Sequence, residues 1–370
     1  MGICVISGFA TIDGTKKFAQ NSGVNQDNFN KFENLFLSNV GIGTYLGDAD
    51  VRTDELVTNA VKQSINSGVN VVDTAINYRS QKAEHSVGKA ISELIHEEKI
   101  SRDEIFVSTK NGYVTNDADV SLGFWEYVKE EYVQKNIVKE GDITSGYHCM
   151  TPTYLSDQLD RSLKNLDLDC VDLMYLHNAV EGQIKDVSKE QFLENLKSVF
   201  ELYEQKRNDG KIKFYGMATW ECFRVQSDNP QYLSLEETVN LAKKIGGENH
   251  GFRFIQLPYN MHYDQALLSK NQSLGTDSVS VLEAAMRLGV GVFTSVPLMQ
   301  GRLLAPGVMP DFGDLKPSLR TLQFIRSSPG VLAPLVGQKS PEHVSENLEI
   351  MKIPPMSDDE FLALVKKLTS

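Results

Sequence analysis

The sequence predicts a (β/α)8 barrel. Eight short β-branched runs alternate in strict order with eight longer amphipathic segments, and a 370-residue chain with 41% apolar content is long enough to bury a barrel core. Such alternation is the pattern of parallel strands covered by helices. An open doubly wound sheet is the alternative, because counting units does not show closure. The strands read as Asn39 to Gly43, Asn70 to Thr74, Ile105 to Lys110, Val171 to His177, Lys213 to Thr219, Arg253 to Leu257, Gly291 to Ser295 and Val331 to Val336. Between and after them, helical periodicity covers Thr53 to Ser67, Glu84 to Glu97, Leu155 to Leu166, Lys189 to Arg207, Ser234 to Ile245, Ser278 to Leu288, Ser318 to Ser327 and Pro341 to Glu349. The first βα turn, GIGTYLG from Gly41 to Gly47, lacks the third glycine of a dinucleotide fingerprint, which weighs against a Rossmann sheet.

Residues 1–370 read as a single barrel domain with two additions. In an N-terminal extension over residues 1–36, Ile6 to Ile12 and Thr15 to Ala19 flank Asp13-Gly14, a tight-hairpin signal, and a second hairpin is expected from Asn28 to Leu37. Both would cap the closed bottom of the barrel. After the third strand the pattern stalls over residues 113–153, with FWEYVKEEYVQKN from Phe124 to Asn136 inside the stall. An insertion there emerges on the C-terminal face, where barrel active sites are built, and reads as a lid or as a helix packed over the rim. Ser357 to Leu368 has the spacing of an outer helix.

The net charge of −12 argues against nucleic-acid or anionic-membrane binding. No run approaches the roughly 18 apolar residues of a membrane span, and the opening residues lack a basic signal region, so the expected compartment is the cytoplasm. Cys4, Cys149, Cys170 and Cys222 form no CxxC pair, and reduced thiols are expected. His148-Cys149 is an isolated pair of soft ligands, too little for a metal site.

The chemistry gathers at strand ends. Asp73 ends the second strand, Tyr78 lies five residues further into the loop, Lys110 ends the third strand and His177 the fourth. A tyrosine with a pKa near about 10 is a poor acid or base at neutral pH. Lys110 beside it would lower that value, Asp73 would hold the lysine charged, and His177 would donate to a carbonyl oxygen. Singly, each has a structural explanation: a capping Asp, a rim Tyr, an ion-paired Lys, a bonded strand-end His. Together, on three consecutive strands at the open end, they suit carbonyl reduction, in which hydride reaches carbon and a proton reaches oxygen.

The stretches GVNVVDTAINY, IFVSTK, LDCVDLMYLHN, GKIKFYGMATW, VPLMQGRLL and PLVGQKSPEHVSEN closely resemble the aldo-keto reductase family over roughly Phe36 to Ile350. The resemblance implies a (β/α)8 barrel that binds a nicotinamide cofactor across its C-terminal face. It matches Asp73, Tyr78, Lys110 and His177 to the family's catalytic residues, with Tyr78 as general acid. It places Gly43, Thr44, Thr219, Gln256, Ser295, Pro297, Leu298, Gln300, Gly301 and Arg302 along the cofactor. In the turn and helix start after the eighth strand it places Gly337, Lys339, Ser340, His343, Glu346 and Asn347 around the adenosine end. There a helix N-terminus favours phosphate, and Lys339 and Ser340 would face a 2′-phosphate, implying NADPH over NADH. Tyr45, Arg79 and Trp220 are candidates to face substrate, although for Arg79 a structural pairing with Glu84 or another lid carboxylate is slightly favoured. Ala218-Thr219 stands where many members carry Ser-Asn, and Ser295 where an aromatic commonly stacks on the nicotinamide. The altered pocket keeps a second reading open, a regulatory NADPH-binding subunit resembling potassium-channel β-subunits. A metal-assisted hydrolase would need strand-end ligand pairs that the sequence lacks.

Overall fold

The computed structural model describes residues 5–310 and 312–369. Cys4 lies outside the described residues. Eight parallel strands close on themselves: β1 (Gly41–Gly43), β2 (Val71–Asp73), β3 (Phe106–Asn111), β4 (Val171–His177), β5 (Ile212–Ala218), β6 (Phe252–Pro258), β7 (Gly291–Ser295) and β8 (Val331–Gly337), with β8 pairing back to β1. Closure settles the choice between a barrel and an open sheet. β3 and β4 are buried along their whole length, as strands covered on both faces must be.

The covering helices are α1 (Val51–Asn66), α2 (Lys82–His96), α3 (Pro152–Leu166), α4 (Lys189–Asn208), α5 (Leu235–Gly246), α6 (Val281–Leu288), α7 (Pro317–Arg326) and α8 (Pro341–Leu348). Asp50, Ser188, Ser234, Ser280 and Ser340 each accept a backbone N–H three residues on, which fixes where α1, α4, α5, α6 and α8 begin. Residues 278–279, expected to open the sixth helix, instead belong to a strand, Asp277–Val279, that pairs with Gln272–Leu274, and Ser280 caps the helix that follows.

Inside the barrel, Val71, Phe106, Leu173, Phe214, Phe254, Phe293 and Leu335 form a cluster that Leu35 and Leu37 join from below. Those leucines belong to the expected second hairpin, in which Phe29–Phe32 pairs with Leu35–Ser38 around the left-handed corner Glu33-Asn34. The first expected hairpin is absent. Ile12–Asn21 is a helix, and Asp13-Gly14 lies in its first turn. Thr11 caps it by accepting from the Gly14 N–H, and a Cβ at residue 14 would stand 2.3 Å from the Asp103 carbonyl, so glycine serves close packing here rather than a hairpin corner.

The insertion holds a short helix, Phe124–Val128, that runs into a π-turn, Lys129–Val133. Tyr127, Val128, Tyr132 and Val138 are buried, and Arg161 of α3 bonds both Tyr127 and Glu131, so this segment is packed against the barrel's outer helices. At the C-terminal end, Asp358–Thr369 is helical, with Phe361 buried.

Candidate active site

Parallel registry brings the strand-end residues level. Asp73 pairs with Ser108, Lys110 with Tyr175, and both His177 and Gln256 with Ala218. The Lys110 ammonium lies 2.5 Å from Asp73 Oδ2, donates to the Thr74 carbonyl at 2.8 Å, and sits 4.7 Å from the centre of the Tyr78 ring. Asp73 Oδ1 accepts from Ser108 Oγ and from Gln256 Nε2. Tyr78 and Tyr113 place ring edges against His177, with centroids 5.8 Å and 5.1 Å away, and Tyr45 packs edge-on against Tyr78. The four strand-end residues therefore form one contiguous group.

Burial lowers the Lys110 pKa by itself, but Asp73 and Tyr78 more than reverse this and keep it raised. The phenol departs from expectation. Burial raises the Tyr78 pKa, and the opposing Lys110 charge does not cancel it, so the hydroxyl stays protonated, the form that can donate. Burial, then Lys110 and His148, push the His177 pKa well down, so the ring is neutral. Its Nδ1 lies 3.2 Å from Asn77 Oδ1.

His148 has a structural task. Its Nε2 donates to the His177 carbonyl at 2.8 Å, while its Nδ1 accepts from Gln183, tying the insertion to the strand end that carries His177.

These residues open into a pocket of ≈ 660 Å³ that runs from Tyr113, Asn178 and Trp220 past Ser295 and Gln300 to Lys339 and Asn347. Of the expected cofactor residues, Gly43, Thr44, Thr219, Gln256, Ser295, Pro297, Leu298, Gln300, Gly301, Gly337, Lys339, His343, Glu346 and Asn347 line it. Arg302 and Ser340 do not; Ser340 caps α8 at the pocket's end. The lining loop after β7 is strained: Val296, Met299 and Gln300 take φ of 57°, 47° and 55°, and Asn260 holds the Val296 carbonyl at 2.9 Å. Such a φ is a genuine outlier for a β-branched residue.

A profile of the Aldo/keto reductase family matches residues 39–306. The chain belongs to the aldo/keto reductase family. It is 21% identical over 336 residues to "Uncharacterized oxidoreductase YqkF" of Bacillus subtilis, covering 89% of this chain and 92% of that protein. It is 28% identical over 228 residues to the human "Aldo-keto reductase family 1 member C2", covering 61% of this chain and 51% of the human protein. Among solved structures, the aldo/keto reductase from Klebsiella pneumoniae in complex with NADP and acetate superposes with a TM-score of 0.58 at 20% identity, covering 92% of this chain and 95% of that one. AKR11C1 from Bacillus halodurans, in its holo form, gives 0.59 at 20% identity, covering 91% and 94%. At these identities the structural likeness is one of fold.

Polar side chains line the pocket at both of its ends. Thr219 is buried and lines the pocket, with its side chain against the Cys222 thiol. At the far end Glu346 already accepts from Ser318 and Lys316, and Asn347 donates to Gln338, so both side chains reach the pocket from fixed positions.

Arg79 is not among the residues that line the pocket. Its φ of 51° turns the side chain out of the pocket, where it bonds Asp54 at 2.6 Å and Ser86 at 2.8 Å rather than Glu84. Glu84 is instead buried between Thr109 and Asn165, with its pKa pushed up to about 7 by burial. Tyr45 and Trp220 do line the pocket. Sequence reasoning missed Asn77, Tyr113 and Asn178. Asn77 and Asn178 each adjoin a residue it singled out, and adjacency was the signal available.

Arg79, Ser80 and Gln81 all have positive φ, three non-glycine residues in succession directly after Tyr78. Beyond the Arg79 contacts, Ser80 donates to the Asn116 side chain at 3.0 Å, Gln81 donates to the Asn116 carbonyl and the Tyr127 hydroxyl, and Ala118 N–H bonds the Ser80 carbonyl. The insertion therefore fixes the turn that follows the tyrosine.

Proposed function

We propose that this protein is an NADPH-dependent oxidoreductase that reduces an aldehyde or ketone to the alcohol, with Tyr78 as the general acid. The observation that carries the reading is the buried line Asp73–Lys110–Tyr78 opening on the pocket beside His177. NADPH, when bound, supplies the hydride. Gln256 and Thr219 would hold its carboxamide, the 295–301 loop its diphosphate, and Lys339 with the α8 N-terminus its 2′-phosphate.

The chain's own part is the proton. As the carbonyl carbon gains a hydride, the π pair moves to oxygen, and Tyr78 gives that oxygen its hydroxyl proton. Phenolate is least costly beside a cation, and Lys110, held by Asp73, is placed to stabilise it as it forms. In the reverse direction the same phenolate takes the alcohol proton. Tyr45, Tyr113 and Trp220 wall the substrate side.

The test is NADPH oxidation across a panel of carbonyls, with Tyr78→Phe as control. Turnover that the variant lacks supports the reading; wild-type-like turnover by the variant overturns the proton assignment. NADPH binding without turnover of any carbonyl overturns the enzymatic reading in favour of a regulatory subunit.

A further inference from the structure

Resting on that reading, we propose that Glu84 is a positioning residue for the proton transfer: one buried carboxyl outside the pocket holds both the strand that carries Lys110 and the turn that follows Tyr78. Glu84 is 0% exposed and lies in the first turn of α2. Its Oε1 accepts from Thr109 Oγ1 at 2.6 Å, and Thr109 directly precedes Lys110 on β3. Successive residues of a strand face opposite sides, so Thr109 meets the helix layer while Lys110 points into the barrel. The second oxygen, Oε2, accepts from Asn165 Nδ2 of α3 at 2.9 Å. That same amide nitrogen donates to Gln81 Oε1 at 3.0 Å, and Gln81 ends the left-handed triplet after Tyr78. Thr109, Asn165 and Gln81 are all buried, so water does not compete for these bonds.

A brace at this place needs no acid. An amide of the same shape would accept and donate as well, without the desolvation cost of a buried carboxylate. What a carboxyl adds is a proton that is gained and lost, and burial holds the Glu84 pKa at about 7, so both forms occur in the ordinary pH range. Lys110 is the charged group that bears on it; Thr109 from β3 and Asn165 and Ser162 from α3, which pack against it, are uncharged.

Lys110 is therefore shared between two carboxyls, Asp73 in direct contact and Glu84 one strand position away. Ionised, Glu84 offsets part of the field with which Lys110 stabilises a forming Tyr78 phenolate; neutral, it leaves that field whole. Glu84 is not among the residues that line the pocket, so it acts through Lys110 and the Tyr78 turn and not on the substrate.

The test is the pH dependence of kcat for carbonyl reduction by NADPH in the wild type, in Glu84→Gln, and in Glu84→Gln combined with Tyr78→Phe. Wild-type kcat is expected to fall roughly threefold or more as pH rises through about 7, and Glu84→Gln to lose this step while KM for NADPH stays within about twofold. On the Tyr78→Phe background Glu84→Gln should change nothing further. A step that survives in Glu84→Gln, or an equal effect on both backgrounds, overturns the proposal. Thr109→Val removes the bond to Oε1 and keeps the carboxyl, so it should move the midpoint upward, and this variant decides the matter if Glu84→Gln does not fold; an unmoved midpoint overturns the proposal. Independently of turnover, the ¹³Cζ resonance of Tyr78 should shift with a midpoint near pH 7 in the wild-type protein. No such shift overturns the inference even if the activity is confirmed. If no carbonyl is reduced, it is the activity that fails, and the Tyr78 resonance still decides whether Glu84 acts on the phenol.

Discussion

Lys110 and Asp73 form an ion pair at the open end of the barrel with side chains 0% and 4% exposed, in a setting where neither charge could be left alone. Lys110→Met is therefore expected to cost stability as well as activity. An orphaned buried carboxylate typically costs about 3–5 kcal/mol. Urea unfolding should show the loss, and Asp73→Asn combined with Lys110→Met should recover part of it. Equal additive losses in the double variant would argue against coupling of the pair.

Tyr78→Phe retains the ring that packs against Tyr45 and His177 and removes the hydroxyl. The expected outcome is a fall in kcat of about two to four orders of magnitude, with NADPH affinity, read by quenching of protein fluorescence, within about threefold of wild type, since none of the proposed nucleotide contacts involves the phenol.

Lys339→Ala removes the cation assigned to the 2′-phosphate. KM for NADPH should rise about tenfold or more while KM for NADH stays within twofold, as expected for one charge-assisted contact. An unchanged ratio of the two would show that the phosphate is held elsewhere.

Arg79→Ala should leave the ratio of rates on anionic and neutral aldehydes unchanged, because the guanidinium is committed to Asp54 and Ser86. Stability should drop by about 1.5–3 kcal/mol, the range for hydrogen bonds to charged groups. A selective loss on carboxylate-bearing substrates would return Arg79 to the substrate site.

His148 makes the fold acid-sensitive. Burial depresses its pKa from 6.5 to about 4, so as pH falls through this window the unfolded chain takes up a proton that the native state refuses. Stability is lost from about pH 6.5 down to about pH 4, by on the order of 3 kcal/mol from this residue. Glu84 acts in the opposite sense: its folded pKa of about 7 lies above the ordinary 4.5, which erodes stability as pH rises between those values. Comparison with His148→Gln cancels the Glu84 contribution. The Tm advantage of the wild type over this variant should shrink from pH 7 to pH 4, and a constant difference would contradict the assignment.

The barrel could be read from sequence because its strands are continuous apolar runs ended by polar residues, and the same runs placed Asp73, Lys110 and His177 at one face. Asp13-Gly14 misled because that dipeptide suits a hairpin corner and a first helical turn alike; the Thr11 cap and the approach of Asp103 decide between them. Arg79 looked like an anion anchor because side-chain type is visible in sequence and φ is not. The contact of Asn77 with His177 spans a hundred residues and depends on the loop conformation after β2, which no local pattern encodes. Likewise, Lys110 beside Tyr78 suggests a lowered phenol pKa until the depth of burial is known.

The left-handed triplet after Tyr78 bears on how such a barrel can be redesigned. Loops on the C-terminal face are commonly treated as cassettes, exchanged to alter substrate choice while the reaction centre stays fixed. Here Asn116 and Tyr127 of the insertion hold Ser80 and Gln81 in backbone conformations those residues do not adopt unaided. Grafting a foreign loop over residues 113–153 is expected to release that turn and to displace Tyr78, the proposed proton donor, with it. In this chain the insertion and the proposed acid are one inheritable unit, and transplanting either requires carrying both.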